Sequence, residues 1–328
     1  MLGPLSSKSS RPTPLERRFA QATFAVVVGI LVVELVLRIV IGLGDPPLYE
    51  AHPRIEYVMK SGVYRRFGNT VTVNSFGMRS PESAVRPLSE GERRVLVIGD
   101  SIVNGGSLTD DIELSTSQLS ARLSETGPTT VCNISAGSWG PGNWLAFLRE
   151  HGTFGAGFAV LVLNDGDATD VPTFQPLGPE HPTHRPPLAA WEAMFTYLPR
   201  FLPFMRAKPG ERGITPIRYD DPLVELDRCV ELLRGAEISV CAVLFPSEAE
   251  VIKNPGHGLN EIQDRLEAQG VPCVRANGRL RDAMTRGTEP FRDGVHPSIV
   301  GQTLLMECYL EALSRIGFRT EAEPSTRP

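Results

Sequence analysis

Arg94-Val95-Leu96-Val97-Ile98-Gly99-Asp100-Ser101-Ile102-Val103-Asn104-Gly105-Gly106 is the stretch that decides how this chain folds. The aliphatic, β-branched run Val95–Ile98 reads as a buried strand. It stops at Gly-Asp-Ser, with two more glycines just beyond and a helical pattern after them. A strand–turn–helix junction of this kind carries its serine past the sheet edge. Backbone N–H groups at the same turn can face a reacting atom that gains negative charge. A serine hydroxyl needs a base before it attacks anything. Far downstream, Phe291-Arg292-Asp293-Gly294-Val295-His296-Pro297 places a carboxylate three residues before an imidazole. Each motif has a plainer reading: a serine after a strand can simply cap the next helix, and a histidine before proline can do the same.

Working outward, further aliphatic runs predict strands at 129–134, 158–163, 238–244 and 271–275. Helical periodicity falls at about 112–125, 142–150, 222–235, 258–269 and 297–315. Strands alternating with helices imply a parallel sheet covered on both faces. Ligands of such sheets bind beyond the C-terminal strand ends, the edge at which Ser101 stands. Roughly 168–221 is an insertion far longer than the usual 2–6-residue connection. It is rich in proline and includes an aromatic, helix-like patch from Trp191 to Met205. The insertion fits a wall of the substrate cleft and a plain cover for the sheet equally well.

Gly-Asp-Ser after the first strand, followed near the C-terminus by Asp-x-x-His-Pro, resembles the SGNH/GDSL hydrolase family over about residues 93–315. The resemblance implies a three-layer α/β/α, flavodoxin-like fold around a five-stranded parallel sheet. It implies Ser101 as nucleophile, His296 as general base and Asp293 as the group that orients the imidazole. Pro297 suits the first turn of the helix that follows. The family's oxyanion donors are the serine N–H, a glycine after the second strand and an asparagine after the third. Gly137 is the glycine chosen here, with Ser138 and Gly140 as other registers. Asn164-Asp165 matches the asparagine literally but comes early in the loop. Aligning Asp167 and Asp170 instead puts Gly166 at the asparagine position. Asn74-Ser75-Phe76-Gly77-Met78-Arg79 is similar to a segment that precedes the hydrolase domain in membrane-anchored members.

Other chemistry finds less support. The net charge of −5, from 33 Lys+Arg and 38 Asp+Glu, argues for no nucleic-acid partner. No Walker-type phosphate loop occurs. Asp165, Asp167 and Asp170 fail the EF-hand spacing, in which position six would be Asp170 and position twelve Pro176. No metal and no cofactor is expected. The five cysteines show no C-x-x-C pair; Cys132, Cys241 and Cys273, in predicted strands, read as core thiols, with a Cys241–Cys273 bridge left open.

Residues 19–43 are nearly all apolar, close to the ~20 needed to cross a bilayer. Glu34 and Arg38 interrupt the run at a spacing that lets them pair on one helix face. A membrane anchor, a cleaved signal peptide and a buried or interfacial helix compete. The basic flank before the segment, with Asp45 and Glu50 after it, favours a single-pass anchor with its N-terminus in the cytoplasm. The expected plan is therefore a cytoplasmic tail at 1–18, an anchor at 19–43 and a pre-domain at 44–92. The hydrolase domain follows at 93–317, and a disordered tail at 318–328. In the pre-domain, Gly68-Asn69 between two β-rich runs predicts a hairpin, read as part of a cap on the main domain.

The resulting expectation is an extracytoplasmic serine esterase that forms an acyl-enzyme and acts on an acylated carbohydrate or a small ester. An O-acyltransferase built on the same intermediate, and a non-catalytic glycan-binding or scaffold protein on the same fold, are the alternatives. The oligomeric state is not legible.

Overall fold

The computed structural model describes residues 13–198, 221–253 and 256–319. It divides into two compact units. One holds the N-terminal helix up to Gly44 together with the stretch that begins at Pro186. The other holds Asp45–Arg185 and the chain from Asp221 onward.

In the larger unit, β5 (Arg93–Gly99), β6 (Thr129–Ser135), β7 (Phe158–Leu163), β8 (Ser239–Leu244) and β9 (Cys273–Arg275) form one parallel sheet. Its spatial order is β6-β5-β7-β8-β9. Counting only these strands, the order is 2-1-3-4-5, the flavodoxin-like winding with its switch point between the first and third strands. The two strands at that point are β5 and β7, whose registers pair Val95–Ile98 with Phe158–Leu161.

Alternate residues of β5 serve opposite faces, as the pleat requires. Leu96 and Ile98 join a core with Ile134, Leu161, Trp144, Phe147, Leu226 and Leu259. Val95 and Val97 join a second core with Leu119, Val160, Val243, Leu305 and Tyr309. Helices α4 (Pro141–His151), α6 (Pro222–Gly235) and α8 (His257–Ala268) supply the first face. Helices α3 (Ser115–Ser124) and α10 (Ile299–Arg315) supply the second. Two helices that the periodicity did not predict, α7 (Glu248–Lys253) and α9 (Asn277–Thr285), lie on the second face through Val251 and Leu280. Both are short and mostly polar, so they give little periodic signal.

The pre-domain belongs to this unit. It has a hairpin of β1 (Tyr49–His52) and β2 (Glu56–Met59), which the sequence did not suggest, and a second of β3 (Gly62–Arg66) and β4 (Asn69–Val73). The second hairpin turns at Phe67-Gly68, one residue before the expected Gly68-Asn69. Both turn residues have positive φ, 52° and 82°, and Asn69 pairs with Arg66 inside the ladder. All five cysteines are buried free thiols, so Cys241 and Cys273 form no bridge.

In the smaller unit, α1 (Pro14–Val36) begins five residues before the expected boundary, at a capping box formed by Thr13 and Glu16. A π-helical stretch, Leu37–Ile41, continues it. The 28 residues Pro14–Ile41 include an apolar window of mean hydropathy 2.8 with none of it buried, long and apolar enough to cross a membrane. The insertion contributes α5 (Ala189–Glu192), which runs on in π geometry through Ala193–Tyr197. The rest of the aromatic patch to Met205, and the tail from residue 320, lie outside the described residues.

Candidate active site

Ser101 is the first residue of a one-turn helix, α2 (Ser101–Asn104), directly beyond β5. Asp100 caps it, accepting from Ile102 N–H at 2.8 Å. The helix ends at Gly105 with φ 72°, and a methyl group there would press on Leu114 and Thr109. Two arginines hold the carbonyls this sharp turn leaves unpaired. Arg79, fully buried, donates to Asn104, Gly106 and Thr109. Arg292 donates from Nη1 to Gly105 O at 2.9 Å and Thr109 Oγ1 at 3.0 Å.

The loop after α9 brings the imidazole to the serine. Arg292 N–H donates to His296 O at 3.0 Å, closing a turn that contains Gly294 at φ 84°. Inside it, Asp293 accepts from His296 N–H at 2.9 Å. Asp293 also meets His296 Nδ1 at 2.8 and 2.9 Å through its two oxygens. The other ring nitrogen, His296 Nε2, lies 3.0 Å from Ser101 Oγ. Burial acts to raise the Asp293 carboxyl, but the hydrogen bonds and charge of His296 outweigh it and hold it below its usual range. Pro297 does not open the following helix as expected. It pairs with Phe291 across the base of the loop, and Ser298 caps α10, accepting from Gly301 N–H at 3.2 Å.

Asn164 follows β7, across the switch point from Ser101. Its Oδ1 accepts from Gly166 N–H at 2.7 Å, and its Nδ2 donates to Asp100 Oδ2 at 3.0 Å. That same carboxylate oxygen lies 3.5 Å from Ser101 Oγ. Of the two residues the sequence offered, Asn164 therefore reaches the serine turn, while Gly166 turns its N–H back onto the Asn164 side chain.

The acidic cluster has local work. Asp165 accepts from Leu259 N–H at 3.2 Å at the start of α8. Asp167 accepts from Asn164 N–H at 2.7 Å. Asp170 is half-buried and packs against Gly140. Burial, with Glu56 nearby, raises its carboxyl. Asp100 and Asp167 are both buried. Burial pushes Asp100 up to about 6, and burial with the Asp100 charge pushes Asp167 well above the usual carboxylate range.

The glycine turn after β6 separates its three candidates by what their N–H groups do. Ser138 N–H donates to Tyr57 Oη at 3.0 Å. Gly140 N–H donates to Asn143 Oδ1 at 2.9 Å. Among the described residues nothing accepts from Gly137 N–H or Ser101 N–H. A methyl group on Gly137 would stand 3.6 Å from both Tyr57 Oη and His181 Nε2.

Sequence reasoning missed those two neighbours. Tyr57 comes from β2, whose backbone also accepts from Trp139 Nε1 at 3.1 Å. His181 comes from the insertion and stacks on Tyr57 with ring centres 4.5 Å apart. The pre-domain is thus more than a cover, because it shapes the Gly137 turn. Neither residue sits in a motif, so only folding brings them there. Arg292 was legible only as a neighbour of Asp293.

With its 2-1-3-4-5 sheet, a Gly-Asp-Ser turn on the first strand and an Asp-x-x-His loop after the last, the chain has the arrangement its motifs imply. This is a flavodoxin-like, three-layer α/β/α fold, as the resemblance to SGNH/GDSL hydrolases implies. No family model matches the chain and no curated protein is similar to it. Among solved structures, an acetylxylan esterase of Geobacillus stearothermophilus is similar at 14% identity and TM-score 0.41, over 72% of this chain and 100% of that one. A lipolytic G-D-S-L family protein of Veillonella parvula is similar at 12% identity and TM-score 0.40, over 68% and 99%. A two-domain esterase active on acetylated mannans is similar at 12% and TM-score 0.44, over 74% and 54%.

Proposed function

We propose that the chain is a serine ester hydrolase working through an acyl-enzyme. The observation that carries this reading is His296 Nε2 at 3.0 Å from Ser101 Oγ, with Asp293 at 2.8 Å on the opposite ring nitrogen. In the first step Ser101 Oγ bonds to the ester carbonyl carbon as its proton passes to His296 Nε2. Asp293 holds the ring and stabilises the imidazolium. The carbonyl oxygen, now anionic, meets the N–H groups of Ser101 and Gly137 and the second Nδ2 hydrogen of Asn164. Collapse breaks the bond to the alcohol oxygen, which takes its proton from His296. Water then repeats the sequence on the acyl-enzyme and frees the acid. The substrate class is an O-acyl group, acetyl included, on a carbohydrate or a small ester; it follows from the motif resemblance. Because fold alone does not set function, the assignment rests on the site.

Residues 14–41 serve as a single-pass anchor that leaves the catalytic unit outside the cytoplasm. Arg17 and Arg18 before the apolar run, with Asp45 and Glu50 after it, support that orientation.

The test is turnover of p-nitrophenyl acetate and longer esters by the full chain in detergent, beside Ser101→Ala and a fluorophosphonate label. Turnover and labelling that both vanish in Ser101→Ala establish the hydrolase. A folded sample with neither refutes it, and labelling without turnover identifies an acyltransferase that lacks its acceptor.

A further inference from the structure

We infer that the insertion helix at 189–197 is a second membrane element, seated in the interfacial layer of the bilayer beside the anchor and fastened to it by Glu34. The inference rests on the reading of α1 as a membrane span. It begins with the two charges that interrupt that helix.

An ionised carboxylate on an apolar helix is costly unless its oxygens are hydrogen-bonded. The i,i+4 pairing with Arg38 is present, Nε to Oε1 at 2.6 Å, but it is only part of the arrangement. Glu34 also accepts from Ala189 N–H at 2.8 Å and Ala190 N–H at 3.0 Å, the first two N–H groups of the insertion helix. A carboxylate there satisfies donors that no helix can satisfy internally, and it suits the positive end of the helix dipole. Arg38 Nη2 reaches Pro187 O at 3.4 Å. Beyond the end of the anchor, Gly44 N–H donates to Glu192 Oε2 at 2.7 Å. Gly44 has φ 92°, and a methyl group in its place would lie 2.7 Å from Arg38 Nη1 and 3.3 Å from Ala189 Cβ. The joint is built for close approach. It also gives the anchor a folded role that a cleaved leader would not have.

The far side of the insertion helix is the second observation. Its small residue Ala189 and its charged residue Glu192 are buried, while Leu188, Trp191, Met194, Phe195 and Leu198 are exposed by 40–53%. Positions 188, 191, 195 and 198 lie on one helical stripe. Trp191 and Phe195 touch, with ring centres 4.4 Å apart. A helix facing water presents its polar side outward; this one does the reverse. The occupant that fits is lipid. The helix to which the segment is fastened is itself exposed and apolar along its length. Glu34 lies seven residues before Ile41, which is ~10 Å along the axis. The joint therefore falls near the outer boundary of the hydrocarbon layer, where tryptophan is enriched. The insertion and the anchor grip the membrane together.

Trp191 makes the test direct, because the other two tryptophans, Trp139 and Trp144, are fully buried. The full chain is reconstituted in vesicles of phosphatidylcholine and phosphatidylglycerol carrying bromine at shallow or deep acyl positions. The expected result is that shallow bromines remove most of the Trp191 emission, a loss absent in Trp191→Phe. A Val28→Trp reporter in the Trp191→Phe background reads the anchor separately, by quenching from deep bromines. Glu34→Leu should release Trp191 from quenching while the Val28→Trp reporter stays quenched. If Val28→Trp is quenched and Trp191 is not, the stripe faces water or a protein and the inference is overturned while the anchor stands. If neither is quenched, the anchor reading fails and takes the inference with it. If Glu34→Leu leaves Trp191 quenching unaltered, the fastening role of Glu34 is wrong.

Discussion

Asn164 Nδ2 donates to Asp100 Oδ2 at 3.0 Å, on the same oxygen that lies 3.5 Å from Ser101 Oγ. The contact crosses the switch point of the sheet and fixes the amide from both ends, since Gly166 N–H holds its Oδ1. One Nδ2 hydrogen is committed to Asp100, and the other is the donor proposed for the oxyanion. Asn164→Ala should therefore lower kcat by about 10²–10³-fold, or ~2.7–4 kcal/mol, with KM little changed. Steady-state kinetics beside a thermal melt decides the matter. A variant with wild-type kcat would remove Asn164 from the chemistry and leave it a loop brace.

The buried carboxylates at Asp100 and Asp167 make stability depend on pH with a definite sign. Both carboxyls sit above the ordinary aspartate value of 3.8 in the folded chain. Between that value and their folded ones, the native state holds more protons than the unfolded state. Stability conferred by the protonated forms is present at low pH and is lost as pH rises through the folded values, from near 4 to about 6 for Asp100. Asp167→Asn keeps an acceptor for Asn164 N–H and removes one of the two groups. Its unfolding free energy should fall less steeply with rising pH, by up to ~1.4 kcal/mol per pH unit for one proton. Urea titrations at a series of pH values would show it, and an unchanged slope would contradict the assignment.

What could be read beforehand follows from where the information lies. Val95–Ile98, Ala159–Leu163 and Val240–Leu244 are buried on both faces, so their continuous aliphatic runs announced a parallel sheet and placed each strand within about two residues. Ser101, Asp293 and His296 stand out in the sequence because each sits in a short motif, the serine at a strand end and the other two in the loop after α9. Asn164 and Gly137 were ambiguous from sequence, since choosing among neighbours in a glycine-rich turn depends on which N–H groups are already engaged. Only the Tyr57 and Asn143 contacts supply that. Tyr57 and His181 carried no signal at all: one is an ordinary strand aromatic, the other a loop histidine 124 positions later in the numbering. Glu34 stands out in the sequence as a charge within an apolar run, while its partner Ala189 lies too far along the chain to carry any local signal.

Gly301 supports the loop of Asp293 and His296 from beneath. It lies in the first turn of α10, where a methyl group would run into Pro290 O and lie 2.8 Å from Pro297 Cβ. Pro290 O already accepts from Ser298 N–H at 2.9 Å, so the loop has no slack there. Gly301→Ala should cost ~1–3 kcal/mol by overpacking and lower Tm by about 2–4 °C per kcal/mol. Activity below the melt should fall as well, since Asp293 and His296 ride on the displaced loop. A melt within a degree of wild type would mean that the helix shifts freely, against the packing described.

Arg292 joins the two halves of the proposed catalytic constellation. Its backbone closes the His296 turn, and its Nη1 reaches across to Gly105 O and Thr109 Oγ1 beside the serine helix. It touches neither Ser101 Oγ nor His296 Nε2, so it acts as a positioning residue. Arg292→Ala leaves the triad residues in place but unties the loops that carry them. A misplacement of about 1 Å between reacting groups can cost ~10²-fold in rate. The expected outcome is a kcat lowered by roughly 10–100-fold with KM nearly constant, and with fluorophosphonate labelling slowed in proportion. Arg292→Lys keeps the charge but not the planar fork that serves two acceptors, and should recover only part of the rate. If Arg292→Ala lowers Tm and leaves the rate per folded molecule unaltered, the side chain stabilises the loop without aligning it, and the alignment must come from the Phe291–Pro297 pairing alone.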